Sequence, residues 1–453
     1  MLITSMIYSI ITNHTSEEVN FYLLDFGAET LRVFNQAPHV GDVLLSTDKD
    51  KIETLFKMLT STIEERKNLF VDYNGSYEFY ISHGGKQIPQ IVVVINNAES
   101  FMETYPDYED IISQMTRDCL KYGVVFILTT NGYNTVRYRT RQNFRQNICL
   151  QFNDPGDYSN VLPGARKMEP SKIYGRGLIE RDAVYEFQTA YSYKEEKISD
   201  YIKIICKKLQ AICPTKAKKI PILPETVTSE YLESKFGNIR TIPVGIEKET
   251  LAVSTVDLSQ QPLYIVTGDD ITANPKFIHG LSKSFQKIAN TKCFILDAGM
   301  VFEEYPTLPA ITYGADKCED AINKLLEVYD AKVANNTPEI INVVITGVSG
   351  LLNKIPEEQK TKLVEMLTKV ASLGTIKIII VDVIDAIKAL NYETWFKSTV
   401  QLSEGIWMGN GISNQFTLKV TTNARALRVE IDETMGYVIK KGKAVLVKLA
   451  SDE

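Results

Sequence analysis

Residues whose types and spacing could handle a phosphate stand at 262–277, PLYIVTGDDITANPKF. The apolar run 263–267 ends in Gly268, and Pro275 opens an amphipathic helix pattern over 275–289. That is the layout of the phosphate-binding loop GxxxxGK(S/T). Its glycines let backbone N–H groups close on phosphate, its lysine reaches the outer phosphates and its hydroxyl holds magnesium. Laid over that pattern, Gly268 keeps the first glycine, Ala273 replaces the second, Asn274 the lysine and Pro275 the hydroxyl. Asp269 and Asp270 add two carboxylates where an incoming triphosphate is repelled. The expectation is a degenerate loop, Gly268, Asp269, Asp270, Ala273, Asn274 and Pro275, that keeps the frame without the ligands. Pro275 suits the first helical turn, so the loop can survive as a joint.

Hydrolysis would also need an acid at the end of a second buried strand, to hold magnesium, and a carboxylate to activate water. The run IVVVI at 91–95 is followed by Asn96 and Asn97, neutral amides that neither neutralise magnesium nor take a proton. The run NVVIT at 342–346 ends in Thr346 and then Gly347. Glu99 is the nearby acid, either a base or a solvated residue starting a helix. Asp25 and Asp297 end two other strands, where an acid substitutes for the missing one or caps the following turn. No catalytic residue is assigned. GVSGL at 347–351 lacks the spacing of a nucleophile elbow. Six cysteines and four histidines are scattered without metal-ligand spacing, so no metal site is expected.

The elements that must position these residues alternate. Strand patterns at 21–26, 91–95 and 124–129 are separated by helix patterns at 51–70 and 108–122, which argues for βαβ units and a largely parallel sheet. A strand at 148–152, a hairpin from Gly177 and a helix at 193–212 follow. The second half repeats the order. NFYLLD, ending at Asp25, matches KCFILD, ending at Asp297, 272 positions on (297 − 25). VVVIN matches NVVIT at 250 (346 − 96), and the hairpins from Gly177 and Gly436 match at 259 (436 − 177). Helices at 318–333 and 357–373 and a strand at 376–381 complete the repeat. Strand, helix and hairpin cues in one order make a duplicated domain. The expected architecture is α/β: units at 1–213 and 241–453 with central sheets flanked by helices, joined by a proline-bearing linker at 214–240. The first unit opens on its helix, so its own glycine loop is expected before Met1.

With 50 basic against 56 acidic residues, the net charge of −6 gives no global field for nucleic acid or anionic lipid. Arg137, Arg139, Arg141 and Arg145, interleaved with Tyr138 and Phe144, form one local cluster, read as a phosphate contact or a solvated strip. No apolar run approaches the ~20 residues that cross a bilayer.

The set IYSIITNHTSEEVNFYLLDFGAETL, APHVGDVL, IVVVINNAESF, GRGLI and IPILPE resembles the FtsK/SpoIIIE-type ATPase modules of type VII secretion, the EssC/EccC kind, over essentially the whole chain. The resemblance implies tandem RecA-like P-loop NTPase folds, a truncated second module followed by the third. It also implies a membrane-anchored parent protein, with this fragment soluble at the cytoplasmic face of the cell membrane. WXG100-type secreted proteins are the implied partners, with other modules and copies of the ATPase in a hexamer. Active relatives carry the lysine and aspartate that appear here as Asn274 and as Asn96 or Thr346, and the position of an arginine that reaches a neighbouring subunit aligns to Asn147, beside Arg145. These departures leave no cofactor beyond weak ATP and magnesium. The expected role is substrate recognition and control of an upstream ATPase. Two alternatives stay open: an active ATPase completed by an upstream loop, with Glu99 as base, and a DNA translocase module working through the arginine cluster.

Overall fold

The computed structural model describes residues 1–452 except 167, 195–196, 236–240, 260, 287–290, 303–310, 315–316 and 336–338. The chain forms two units, Met1–Ile222 and Leu223–Glu453.

In the first unit, β1 (Val19–Asp25), β2 (Val40–Leu44), β3 (Gln90–Asn96) and β4 (Val124–Leu128) make a parallel sheet in the order β2-β1-β3-β4. All seven residues of β1 are buried because helices cover both faces. Helix Lys49–Leu69 carries Ile52, Leu55, Phe56, Leu59 and Ile63 at helical spacing and lays them against Val93 and Ile95. Helix Leu2–Asn13 places Ile7 and Ile11 on the opposite face, against Val92 and Val94. A separate antiparallel sheet contains β5 (Ile148–Cys149), β6 (Arg176–Glu180) and β7 (Val184–Gln188).

The second unit carries β8 (Ile242–Glu247), β9 (Val253–Val256), β10 (Leu263–Gly268), β11 (Thr291–Asp297), β12 (Ile311–Gly314), β13 (Ile340–Thr346), β14 (Ile376–Val383), β15 (Gly405–Met408), β16 (Met435–Lys440) and β17 (Lys443–Leu449). They form one ten-stranded sheet, β12-β11-β13-β14-β10-β15-β16-β17-β8-β9. It is parallel from β12 to β15 and antiparallel from there on. The two units therefore repeat the order β2-β1-β3-β4 as β12-β11-β13-β14, and β5-β6-β7 as β15-β16-β17. The second unit adds β10, which joins the two blocks, and the hairpin β8–β9 beyond β17.

Three expectations shift. The strand expected at 148–152 contains only two paired residues. The helix expected from 193 begins at Ile198 in the described structure. The stretch 214–240 is not a free linker: Ala217 and Ile220 are buried in the first unit, and Val227 and Leu232 in the second. The Ala217 N–H donates to the Pro38 carbonyl at 2.7 Å, and helix Ser229–Lys235 follows. Apolar side chains inside a proline-rich stretch find cores that its composition does not announce. Residues 236–240 of that stretch, and 287–289 of the expected helix 275–289, lie outside the described residues.

Candidate functional site: the strand ends and the glycine loop

Gly268 ends β10 against β15. A Cβ there would lie 2.7 Å from the Met408 carbonyl oxygen, so the close strand pairing alone accounts for the glycine. The chain then forms a 3-10 turn, Ile271–Ala273, rather than an open cradle. Ile271 is buried among Val266, Phe277 and Val381. The Asp270 carboxylate accepts from the Thr272 N–H at 2.8 Å and from its hydroxyl at 2.6 Å, and these bonds hold its pKa below the usual carboxylate range. Asp269 lies against Gly411, where a Cβ would meet its Oδ2.

Helix Pro275–Gln286 begins with one first-turn donor capped by a side chain and another missing. The buried Asn274 side chain accepts the Phe277 N–H at 3.0 Å, and its amide donates to the Glu433 carbonyl at 3.2 Å. Pro275 has no N–H to offer. A helix N-terminus binds anions through free backbone donors, and here an uncharged side chain serves as the cap.

The strand-end residues meet in pairs. β1 and β3 run in register so that Asp25 faces Asn96, and β11 and β13 so that Asp297 faces Thr346. Asn96 Nδ2 donates to Asp25 Oδ1 at 2.8 Å, while Thr129 donates its hydroxyl to Asn96 Oδ1 at 2.9 Å. The Leu31 N–H fills Asp25 Oδ2 at 2.8 Å. In the second unit the Thr346 hydroxyl donates to Asp297 Oδ1 at 2.6 Å, and the Val301 and Phe302 N–H groups donate to its two oxygens at 2.9 Å each. Both aspartates thus hold the following turn, and the neutral residue beside each completes its hydrogen bonding. Asn97 sits at a positive φ of 65° with its side chain accepting from Ser100, and Gly347 takes the same left-handed place at 62°. Glu99 lies half-buried in the first turn of helix Ala98–Thr104. Among the described residues no group of three or more His, Cys, Asp or Glu is placed to hold a metal.

Asp382 is the residue that sequence reasoning passed over. It stands in β14 directly opposite Thr267 of β10, is buried, and has one oxygen without a hydrogen-bond partner. Burial pushes its carboxyl above the usual range. An acid within IKIIIVDV, a strand otherwise apolar at its end, was the available signal.

The arginine cluster is divided. Arg137 pairs with Glu109 at 2.8 Å, and Arg141 stacks over Tyr133 at 3.9 Å while donating to its carbonyl. Arg139, Arg145 and Asn147 are exposed.

This repeated geometry has relatives. Residues 1–167 match the FtsK/SpoIIIE family model. The ESX secretion system protein EccC of Thermomonospora curvata is 28% identical over 282 residues, 59% of this chain and 21% of that protein. A structure of EssC, ATPases 2 and 3, from Geobacillus thermodenitrificans superposes with a TM-score of 0.86 at 19% identity, covering 100% of this chain and 88% of that one. The chain is similar to the FtsK/SpoIIIE-type ATPases of type VII secretion, through the family model over its first 167 residues and through these relatives. A further family structure, Thermomonospora curvata EccC (ATPases 2 and 3) in complex with a signal sequence peptide, superposes at 0.55 with 21% identity, over 100% of this chain and 85% of that one. The fold is therefore that of the tandem ATPase domains in this family. The chain spans about a fifth of the length of the curated relatives it matches first. Among the described residues no helix is long and apolar enough to cross a membrane.

Proposed function

We propose that this chain is a substrate-recognising and regulatory platform of a type VII secretion motor, with nucleotide sites that do not hydrolyse ATP. The observation that carries the reading is Asn274: where a phosphate loop presents a lysine and free donors, a buried amide caps the helix. The neutral residues Asn96 and Thr346, bound to Asp25 and Asp297, support it from the strand side. The EccC structure holding a signal sequence peptide supports recognition of WXG100-type exported proteins. In this reading the platform works at the cytoplasmic face of the membrane, beside other modules and copies of the ATPase in a hexamer. ATP with magnesium binds weakly at most.

Isothermal titration of the chain with ATP and magnesium, beside titration with an exported WXG100 dimer, tests it. The expected result is a saturable heat with the exported protein and no turnover of ATP. Micromolar ATP binding with turnover, and no heat with the exported protein, would overturn the reading. Turnover abolished by Glu99→Gln would assign hydrolysis to the first unit instead.

A further inference from the structure

Helix Ile198–Ile212 packs on the first unit through Ile202 and Cys206, which are fully buried, with Ile198 and Leu209 partly buried beside them. The 3.6-residue period then fixes its outward side. Tyr201, Ile204, Lys208 and Ile212 form one stripe there, and Lys203 and Lys207 form the stripe beside it. Ile204 is 52% exposed and Ile212 74%, and all three lysines are exposed. Tyr193, also exposed, stacks on Tyr201 at 4.2 Å and adds an aromatic ring with a polar tip. Isoleucine forms helix less well than the alanine, glutamate or lysine that suit a solvated face. Here Ile204 stands among three ammonium groups.

The charge around this face is one-sided. Residues 197–219 hold seven lysines and a single acid, Asp200, in a chain whose net charge is −6. Asp200 and Lys203 lie 3.9 Å apart with both side chains exposed, a pairing that water largely screens. The elements beneath the helix add no net negative charge. Helix Leu2–Asn13 has no charged side chain, and at the turn Thr30–Phe34 Arg32 pairs with Glu29 at 2.7 Å. A local positive field therefore coincides with exposed apolar side chains on one helix face.

We propose that this face rests on an anionic phospholipid surface. The helix lies in the plane of the headgroups, Ile204 and Ile212 enter between them, and Lys203, Lys207 and Lys208 meet the phosphates. Lysine stems run along an apolar seam while their ammonium groups reach outward, which suits the boundary between hydrocarbon and anionic headgroups. A protein partner fits this pattern less well. Protein interfaces gather apolar side chains at the centre and charge at the rim. Here Lys207 and Lys208 fall between Ile204 and Ile212 along the axis, so burying the isoleucines against a protein would desolvate the ammonium groups. Headgroups leave both kinds of side chain in the medium each prefers. This contact needs neither nucleotide nor an exported protein, and it is made by the chain itself rather than through a membrane-anchored parent.

The test floats the whole chain with vesicles of phosphatidylcholine, alone or mixed with an equal part of phosphatidylglycerol. The expected result is flotation with the anionic vesicles only, falling as salt is raised. Lys203→Gln, Lys207→Gln and Lys208→Gln together should weaken binding about a hundred-fold, at about five-fold for each lysine. Lys354→Gln, Lys388→Gln and Lys397→Gln, at exposed lysines of the second unit, should leave it unchanged. Ile204→Ser keeps the charge and should weaken binding about ten-fold. All these side chains are exposed, so the variants should melt with the wild type. Ile204→Trp reads the depth: Trp395 and Trp407 are buried, so a blue shift on adding anionic vesicles reports the new indole. No flotation with anionic vesicles at low salt, or equal flotation of the triple-glutamine chain, would overturn the proposal. Salt-sensitive flotation without a blue shift, unaffected by Ile204→Ser, would overturn it in favour of a charge contact that an acidic protein makes equally well.

Discussion

At positions 96 and 346 an amide and a hydroxyl each donate to an aspartate on the neighbouring strand, and both can do so because they are neutral. Thr346→Asp would bring a second carboxylate to within hydrogen-bond reach of Asp297 in a buried site, where both cannot ionise. We expect a loss of about 2–4 kcal/mol in denaturant unfolding, larger at pH 8 than at pH 5 because one group must carry a proton. Thr346→Ser should stay near wild type, and a Thr346→Asp chain of undiminished stability would refute the coupling. Asp382 carries a different sign. Its folded-state pKa is raised by burial, so the folded protein binds a proton that the unfolded chain has released. Stability is therefore lost as pH rises from the ordinary aspartate range through the raised value. Asp382→Asn keeps an oxygen to accept from the Val383 N–H. It is expected to melt above wild type at pH 7, with the two curves converging below pH 4, as measured by thermal unfolding.

The element that joins β10 to helix Pro275–Gln286 holds together through its own residues: Ile271 in the core, Asp270 bonded to Thr272, and Asn274 as cap. Asn274→Lys, the change that rebuilds the motif in sequence, removes the cap and places an ammonium where the amide was 6% exposed. A cost of about 1–2 kcal/mol is expected, read as a lower melting temperature, with no ATP affinity gained by titration. The departures of this loop from GxxxxGK(S/T) were legible in the sequence, because each residue type could be compared with a chemical requirement. What filled the space was not. Nothing in DDITAN says that the isoleucine turns inward, since that depends on Val266 and Phe277 from either side. The role of Asp25 and Asp297 as turn holders was among the sequence alternatives, but their bonds to Asn96 and Thr346 needed the strand register. Asp382 was missed because the strand pattern was read only over 376–381, one residue short of the position that β14 sets opposite Thr267.

Across the whole molecule, the alternation of apolar runs with helical periodicity was enough to expect two α/β units, since parallel strands buried on both faces read as continuous apolar stretches. The hairpin of β8 and β9 escaped notice because Pro243 and Gly245 interrupt its first strand. The end of the first unit was blurred by Ala217 and Ile220, which pack where the composition suggested a tether. One feature separates the units physically: β15-β16-β17 shares a continuous hydrogen-bonded ladder with its sheet, and β5-β6-β7 does not. A ladder couples the fates of the strands it connects, whereas a block held by side-chain contact can detach by itself. Under native conditions the amides of Leu178 and Ile179 should therefore exchange through a cheap, partial opening that leaves β1 and β3 closed. Those of Tyr437 and Val438 should exchange only when the second unit comes apart. Native-state exchange at low denaturant would read the contrast as two different slopes, steep for the second pair and shallow for the first. The repeat would then amount to one architecture with two degrees of cooperativity, in which the earlier copy has a hinged panel and the later copy is a single wall.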